Sequence, residues 1–148
     1  IANLIEWGAE VTELSTRLFR NHSPEWIRLL GEAINTLKIY HEGRVSTLYV
    51  TREMLQKVGA SEEHINGIIQ YGKDISGVEL AVFFREVDPS TTKVSFRSGS
   101  LIDVSALAQK FGGGGHKRAS GCTINLPLFK AHKYTMEVID NYFRETVK

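Results

Sequence analysis

At 148 residues, 42% of them hydrophobic and 24% charged, the chain is long and apolar enough to bury one core of its own. A net charge of +1 argues against a surface made to coat nucleic acid, and the single cysteine, Cys122, excludes an intramolecular disulfide and a Cys-rich zinc pattern. No apolar window reaches the length needed to cross a bilayer, and Glu6, Glu10 and Glu13 stand where a secretory leader would be basic and then apolar, so a reducing cytoplasm is the expected location.

Along the chain, Leu4, Val11, Leu14, Leu18 and Phe19 recur at near-helical spacing and predict an amphipathic helix over residues 2–19. No capping residue precedes Ile1, so this helix is expected to be cut from a longer protein. Ser23-Pro24 is a strong start signal, a capping side chain before a proline at the first helical position, and Ile27, Leu30, Ile34 and Leu37 carry a second helix to about residue 38. Ile39-Tyr40, a Gly43-containing turn and the alternating Val45 to Val50 predict a β-hairpin. Thr51 caps a short helix that stops at Gly59. Ser61 starts another with Ile65, Ile68 and Ile69 facing inward before Gly72. Val78 to Val87 is an apolar run fitted to a central buried strand, with Lys93 to Arg97 as its partner. Val104, Leu107, Ala108 and Phe111 predict a short helix with Asp103 at its N-terminus, Thr123 to Leu126 a last strand, and residues 129–147 a closing helix. The fold class is therefore α+β, a mixed sheet covered by helices with an N-terminal helical linker.

The stretch Phe111 to Gly121 is the unusual one. Four consecutive glycines, Gly112, Gly113, Gly114 and Gly115, each cost about 0.5–1 kcal/mol in backbone entropy relative to alanine, a poor way to make an ordinary turn. The donors His116, Lys117, Arg118 and Ser120 crowd beside them. Between Lys93 and Arg118 five basic residues face one acid, Asp103, a local +4 that leaves −3 for the rest of the chain. An anion, phosphate above all, suits bare amides ringed by cations. The loop matches neither a Walker A motif, which needs Gly-Lys-Ser/Thr after a four-residue spacer, nor a dinucleotide fingerprint, since it follows a helix and position 118 is Arg. What survives is a backbone nest opposite His116 and Arg118, with Arg97 on the neighbouring strand offering a planar fork to a second phosphate.

Phe96-Arg97-Ser98, Asp103-Val104, Ala108 and Phe111-Gly-Gly-Gly-Gly-His116, followed by Ala119-Ser120-Gly121, resemble in order and spacing the C-terminal domain associated with the Asp-His-His (DHH) phosphoesterases. Within that family the chain looks most like the branch of bacterial oligoribonucleases and 3′-phosphoadenosine 5′-phosphate phosphatases. Leu4-Ile5-Glu6-Trp7-Gly8-Ala9 is similar to the segment that closes the family's catalytic domain, so the resemblance covers nearly the whole chain. It implies that residues 1–22 are the end of a catalytic domain and a linker helix, and that residues 23–148 are the nucleotide- or nucleic-acid-binding domain. It further implies that Arg97, Ser98, Gly112 to Gly115, His116, Arg118 and Ser120 hold the phosphates and sugar of a short nucleic-acid substrate across a cleft from a manganese site on the other domain. Ser120 stands where alanine is also common in the family.

The expected partners are short single-stranded RNA or DNA or nucleotide phosphates, and the DHH catalytic domain of the same polypeptide; a homodimer is compatible with the sequence. No Asp-His-His triplet is present and the His and Asp residues are scattered, so no metal ligand and no catalytic residue is assigned here, and the chain is not expected to be catalytic alone. The competing reading is a freestanding nucleic-acid-binding module such as the related C-terminal domain of alanyl-tRNA synthetase, which lacks the His-Lys-Arg-Ala-Ser run. Blander roles also stand. Arg97 pairs with Glu86 or Asp88 across the strands, Trp7, Trp26 and Tyr71 pack in the core, His22, His41, His64 and His132 lie on the surface, and Asp103 caps its helix.

Overall fold

A computed structural model describes residues 11–16 and 20–146. Helix α1 (Val11–Ser15) is followed by α2 (Pro24–Ile34), β1 (Lys38–Tyr40), β2 (Val45–Val50), α3 (Arg52–Val58), a 3-10 turn (Glu62–Ile65) and α4 (Ile68–Lys73). Then come β3 (Leu80–Asp88), β4 (Thr91–Ser98), α5 (Val104–Gln109), β5 (Gly114–His116), β6 (Ala119–Ile124) and α6 (Leu128–Thr146). The strands form one mixed sheet in the order β1-β2-β3-β4-β6-β5. Only β2 and β3 run parallel, and the crossover between them carries α3, the 3-10 turn and α4.

β3 is the spine because both of its faces are buried. Leu80, Val82 and Phe84 pack with Val94, Phe96, Ile102, Val104, Leu107 and the inner face of α6, while Ala81 and Phe83 pack with Leu48, Val50, Leu29, Ile68 and Ile69 on the other side. A strand covered twice has no polar alternation to show, which is why its sequence reads as a continuous apolar run. The second helical layer sits close on the sheet. A Cβ on Gly72 of α4 would lie 2.9 Å from Ser46 Oγ and 3.1 Å from Leu48 Cδ1, and the Ser46 hydroxyl donates to the Gly72 carbonyl at 2.9 Å.

Local signals mostly act where the residues stand. Ser23 Oγ accepts the Trp26 amide, Thr51 Oγ1 accepts the Met54 amide, and Gly59 ends α3 in the left-handed region at φ 68°. Three expectations change. The helix over residues 61–72 breaks into a 3-10 turn and α4, because Gly67 takes φ 88° between them. Helix α2 ends at Ile34, not near residue 38, so that Lys38–Tyr40 is free to pair with β2. The last strand begins at Ala119, well before residue 123, since the small residues 119–121 pair with β4 where sequence alone makes them loop. The predicted helix over 2–19 falls largely outside the described residues, as does Trp7. Trp26 is buried and donates Nε1–H to the Asn66 carbonyl, whereas Tyr71 is exposed, a departure from its expected core role.

Two histidines are not surface residues. His41 takes φ 52° in the β1–β2 turn, stacks on Phe143 at 4.5 Å and bonds Asp140 at 2.7 Å, so α6 holds a turn that its own backbone disfavours. His132 of α6 is half-buried against Phe84 (4.8 Å between ring centroids) and near Thr47 Oγ1. Burial first, and the Lys38 charge second, push its pKa below the ordinary value. The unfolded chain therefore takes up a proton near pH 6.5 that the folded ring resists, and the stability from the neutral ring, complete above about pH 6.5, is lost progressively as pH falls from there through the lower pKa of the folded ring. His132→Leu should show a smaller fall in melting temperature than the parent between about pH 7.5 and about pH 5.5. Equal falls in both proteins would remove His132 from the acid sensitivity.

Candidate functional site

The glycine run divides into four positions with different reasons. Asp103 caps α5, its Oδ1 accepting the Ser105 and Ala106 amides at 2.9 and 3.3 Å. The Ser105 hydroxyl and these amides hold the carboxyl below its usual range. Helix α5 then closes with Gly112 at φ 75° and the Gly113 amide on the Ala108 carbonyl at 3.0 Å. A Cβ on Gly113 would run into the Gly121 carbonyl and stand 2.6 Å from Cys122 Cβ. Gly115 takes φ 144° with the Ala119 carbonyl 2.7 Å from where its Cβ would be. Gly112 and Gly114 both have nothing of the protein within 4 Å of a Cβ, but Gly112 is required by its left-handed φ, so Gly114 alone of the four is held by neither backbone angle nor contact.

The backbone nest is therefore corrected: Gly114–His116 is the edge strand β5, paired antiparallel with β6. Bare amides come here from the alternate unpaired N–H groups of a sheet edge, not from a curled loop. Three of the glycines serve the chain's own packing, and Gly114 is the one left for a ligand to exploit.

Strand register places the cations. His116 lies opposite Ala119, Ala119 opposite Arg97 and Arg97 opposite Ala81; in the next row Gly114, Gly121, Ser95 and Phe83 line up, and in the third Thr123, Lys93 and Arg85. Residues directly opposed across a sheet share a face. Arg85, Lys93, Arg97 and His116 thus surround a floor made of Ser95, Ala119, Gly121 and Gly114, where side chains are small or missing. The layer of α2, α3 and α4 covers β2 and β3 on this side, and the floor beyond it is open. Where the two meet, Ile65, Asn66, Gly67 and Ile69 form a wall above a recess of about 150 Å³ that Arg85, Lys93, Ser95 and Arg97 complete.

Arg97 faces Ala81, while Glu86 and Asp88 face Thr92 and Thr91, so the expected cross-strand ion pair of Arg97 does not form. Its Nη1 donates to the Phe96 carbonyl at 3.0 Å, and no carboxylate among the described residues pairs with it. His116 is exposed and its side chain makes no hydrogen bond to the described residues.

Three other expected site residues serve the scaffold. The Ser98 hydroxyl is buried 2.7 Å from the Ile102 carbonyl, the Ser120 hydroxyl is buried and donates to the Val104 carbonyl, and Arg118 spends its two terminal nitrogens on the Ile102 and Ser100 carbonyls at 3.0 and 3.1 Å. Together they staple the 99–104 segment to the start of β6, which fixes β5 and His116 beyond it. Cys122 is half-buried, and burial pushes its thiol up to about 11, so it stays protonated at neutral pH. Arg85 was missed. Its signal in the sequence is a lone arginine at the end of an otherwise apolar run, at the alternation that puts it on the face of Ala81 and Phe83.

A mixed sheet packed between helices, with one face left open and cationic at its end, defines an α+β domain. Residues 43–141 match the DHHA1 domain, and the chain belongs to that family. It is 33% identical over 142 residues to the bifunctional oligoribonuclease and PAP phosphatase NrnA of Thermus thermophilus, a match covering 93% of this chain and 41% of that protein. The protein of the same name from Bacillus subtilis is 29% identical over 121 residues, covering 82% of this chain and 37% of the relative. The chain therefore spans about two-fifths of the length of these curated relatives. Among solved structures, an exopolyphosphatase-related protein from Bacteroides fragilis shares the fold with a TM-score of 0.89 at 24% identity, over 99% of this chain and 43% of that one.

The glycine assignments separate stability from ligand access. Gly113→Ala should destabilise the fold by about 1–3 kcal/mol, the cost of forcing a methyl group into packed backbone, whereas Gly114→Ala should melt within about 1 kcal/mol of the parent. Urea titrations of both variants measure this, and equal losses would contradict the division.

Proposed function

We propose that this chain is the substrate-binding part of a metal-dependent DHH-family phosphoesterase acting on short oligoribonucleotides or nucleoside 3′,5′-bisphosphates. The observation that carries the reading is the open strip on which Arg97 and His116, neither engaged by a carboxylate, flank the bare backbone of Gly114 and Gly121. A guanidinium gives a phosphate a planar pair of donors, an imidazole gives it one more, and a floor without side chains lets the phosphate approach the backbone closely. Such donors, fixed before the substrate arrives, stabilise negative charge as it develops on a phosphoryl oxygen. Both NrnA relatives are named for oligonucleotide and PAP hydrolysis, which is the chemistry this strip is suited to serve.

In this reading residues 1–22 belong to the end of the catalytic domain and its linker, the catalytic domain of the same polypeptide faces the strip, and the protein works in the cytoplasm. Manganese belongs on that other domain. Among the described residues no three His, Cys, Asp or Glu side chains gather into a group that would hold a metal ion, so no chemical step is assigned to a metal through them.

The test is calorimetric titration of the chain with a diribonucleotide. Arg97→Lys keeps the charge and loses the fork, and should weaken binding by about 1–2 kcal/mol with the melting temperature unchanged. His116→Ala should weaken it by a similar amount, and Gly114→Val by more, because its branched side chain occupies the place of the phosphate. If all three bind like the parent, the strip is not the site. Salt dependence separates the alternative of a general nucleic-acid module: two or three phosphate contacts give a slope of about −1.4 to −2.1 in log affinity against log salt, while a slope steeper than about −4 would mean a long basic track.

A further inference from the structure

The recess under the wall of α4 contains more cationic chemistry than the strip in front of it needs. Arg85 is the unexplained member. Its side chain is only 18% exposed, its nearest carboxylate is Glu62 at 3.6 Å on a side chain 70% exposed, and its Nε–H is buried without any acceptor. Other partly enclosed arginines of this fold have work: Arg44 grips Glu79 at 3.2 and 2.8 Å, and Arg118 holds two carbonyls. A guanidinium held largely out of water, with its Nε–H unmet among the described residues and only a long, exposed ion pair at Nη1, is poorly compensated for its lost hydration.

Resting on the proposed function, we infer that this recess is a distinct subsite for a terminal phosphate monoester, with Arg85 as its anchor and as the residue that makes the protein prefer end-phosphorylated substrates. Arg85 and Lys93 are direct cross-strand partners, and Arg97 lies on the same face farther along β4, so three cations converge on a space whose lining includes no carboxylate. Glu62 sits at the rim, as a weak, solvent-exposed counterion that an incoming dianion displaces. The volume, about 150 Å³, is enough for a phosphate group. Arg97 borders both the recess and the His116 end of the strip, so a phosphate in the recess and another beside His116 are neighbours along one face of the sheet. The wall of Ile65, Asn66 and Gly67 borders the recess on the side of the helical layer.

The experiment compares the chain's affinity for three ligands: one diribonucleotide without a terminal phosphate, the same one with a 5′-phosphate, and the same one with a 3′-phosphate. At least one phosphorylated form should bind about tenfold tighter than the unphosphorylated one. Arg85→Gln should erase that advantage, lowering affinity for the phosphorylated form about tenfold and for the unphosphorylated ligand far less. Glu62→Gln, at an exposed position that the fold does not need, should raise affinity for the same phosphorylated form about threefold and leave the unphosphorylated ligand unchanged. If Arg85→Gln lowers all three affinities alike, Arg85 is a structural residue and the subsite is overturned. If the three ligands bind equally well and respond equally to His116→Ala, the strip stands and the recess falls alone. If none of the three binds, both readings fall together.

Discussion

The helical layer of α2, α3 and α4 ends over β3, and the rest of the structure is arranged around that edge. Beneath the layer, Ala81 and Phe83 are small or apolar and dry; one strand further on, Ser95, Arg97 and Lys93 occupy the same face and meet solvent. A charged side chain costs heavily beneath a packed helix and little on an open sheet. The boundary of the layer is therefore also the boundary between core and candidate site. Arg85 stands on that boundary, half enclosed by the layer and half facing the strip, and it inherits the conflict between the two environments.

The opposite face of the sheet makes the open strip affordable. Val94, Phe96, Ile124 and the inner side of α6 bury the far side of β4 and β6, so those strands are anchored without any cover on the cationic side. Ser98, Ser120 and Arg118 extend the anchorage outward, tying the 99–104 segment to the start of β6 through backbone carbonyls. Each hydroxyl there is buried and satisfied. The edge strand β5, three residues long and without a single large side chain to pack, stays in place because of this stapling and because Gly113 and Gly115 let it press directly on β6. Binding residues on a rigid sheet edge keep their geometry better than residues on a free loop.

The DHHA1 match ends at residue 141 and takes in the whole sheet from the end of the β1–β2 turn onward. The strip was located from strand register and from which side chains lack partners, and it contains Arg97 and His116, two residues of the family-like motif, together with Arg85 and Lys93, which no motif singled out. Family resemblance selects residues by spacing, whereas register selects them by face, and the second criterion is what divides Arg97 from Ser98.

The sequence by itself determined the α+β class, the start of α2 at Ser23-Pro24, the caps at Thr51, Gly59 and Asp103, the central strand and its β4 partner, because each rests on neighbours within one helical turn or, for the central strand, on a continuous apolar run. It also marked the Gly112–His116 stretch and Arg97 through composition and motif. Only the tertiary structure decided what each marked residue does. Whether a serine hydroxyl meets a ligand or the Val104 carbonyl, whether Arg97 meets Glu86 or open solvent, and which glycine of four is free, all depend on atoms far away in the chain, such as the Gly121 carbonyl against Gly113. Arg85 remained hidden for the same reason. Its neighbours Glu62, Lys93 and Arg97 come together only when the α3–α4 crossover lies over β3, a long-range contact that no local pattern encodes.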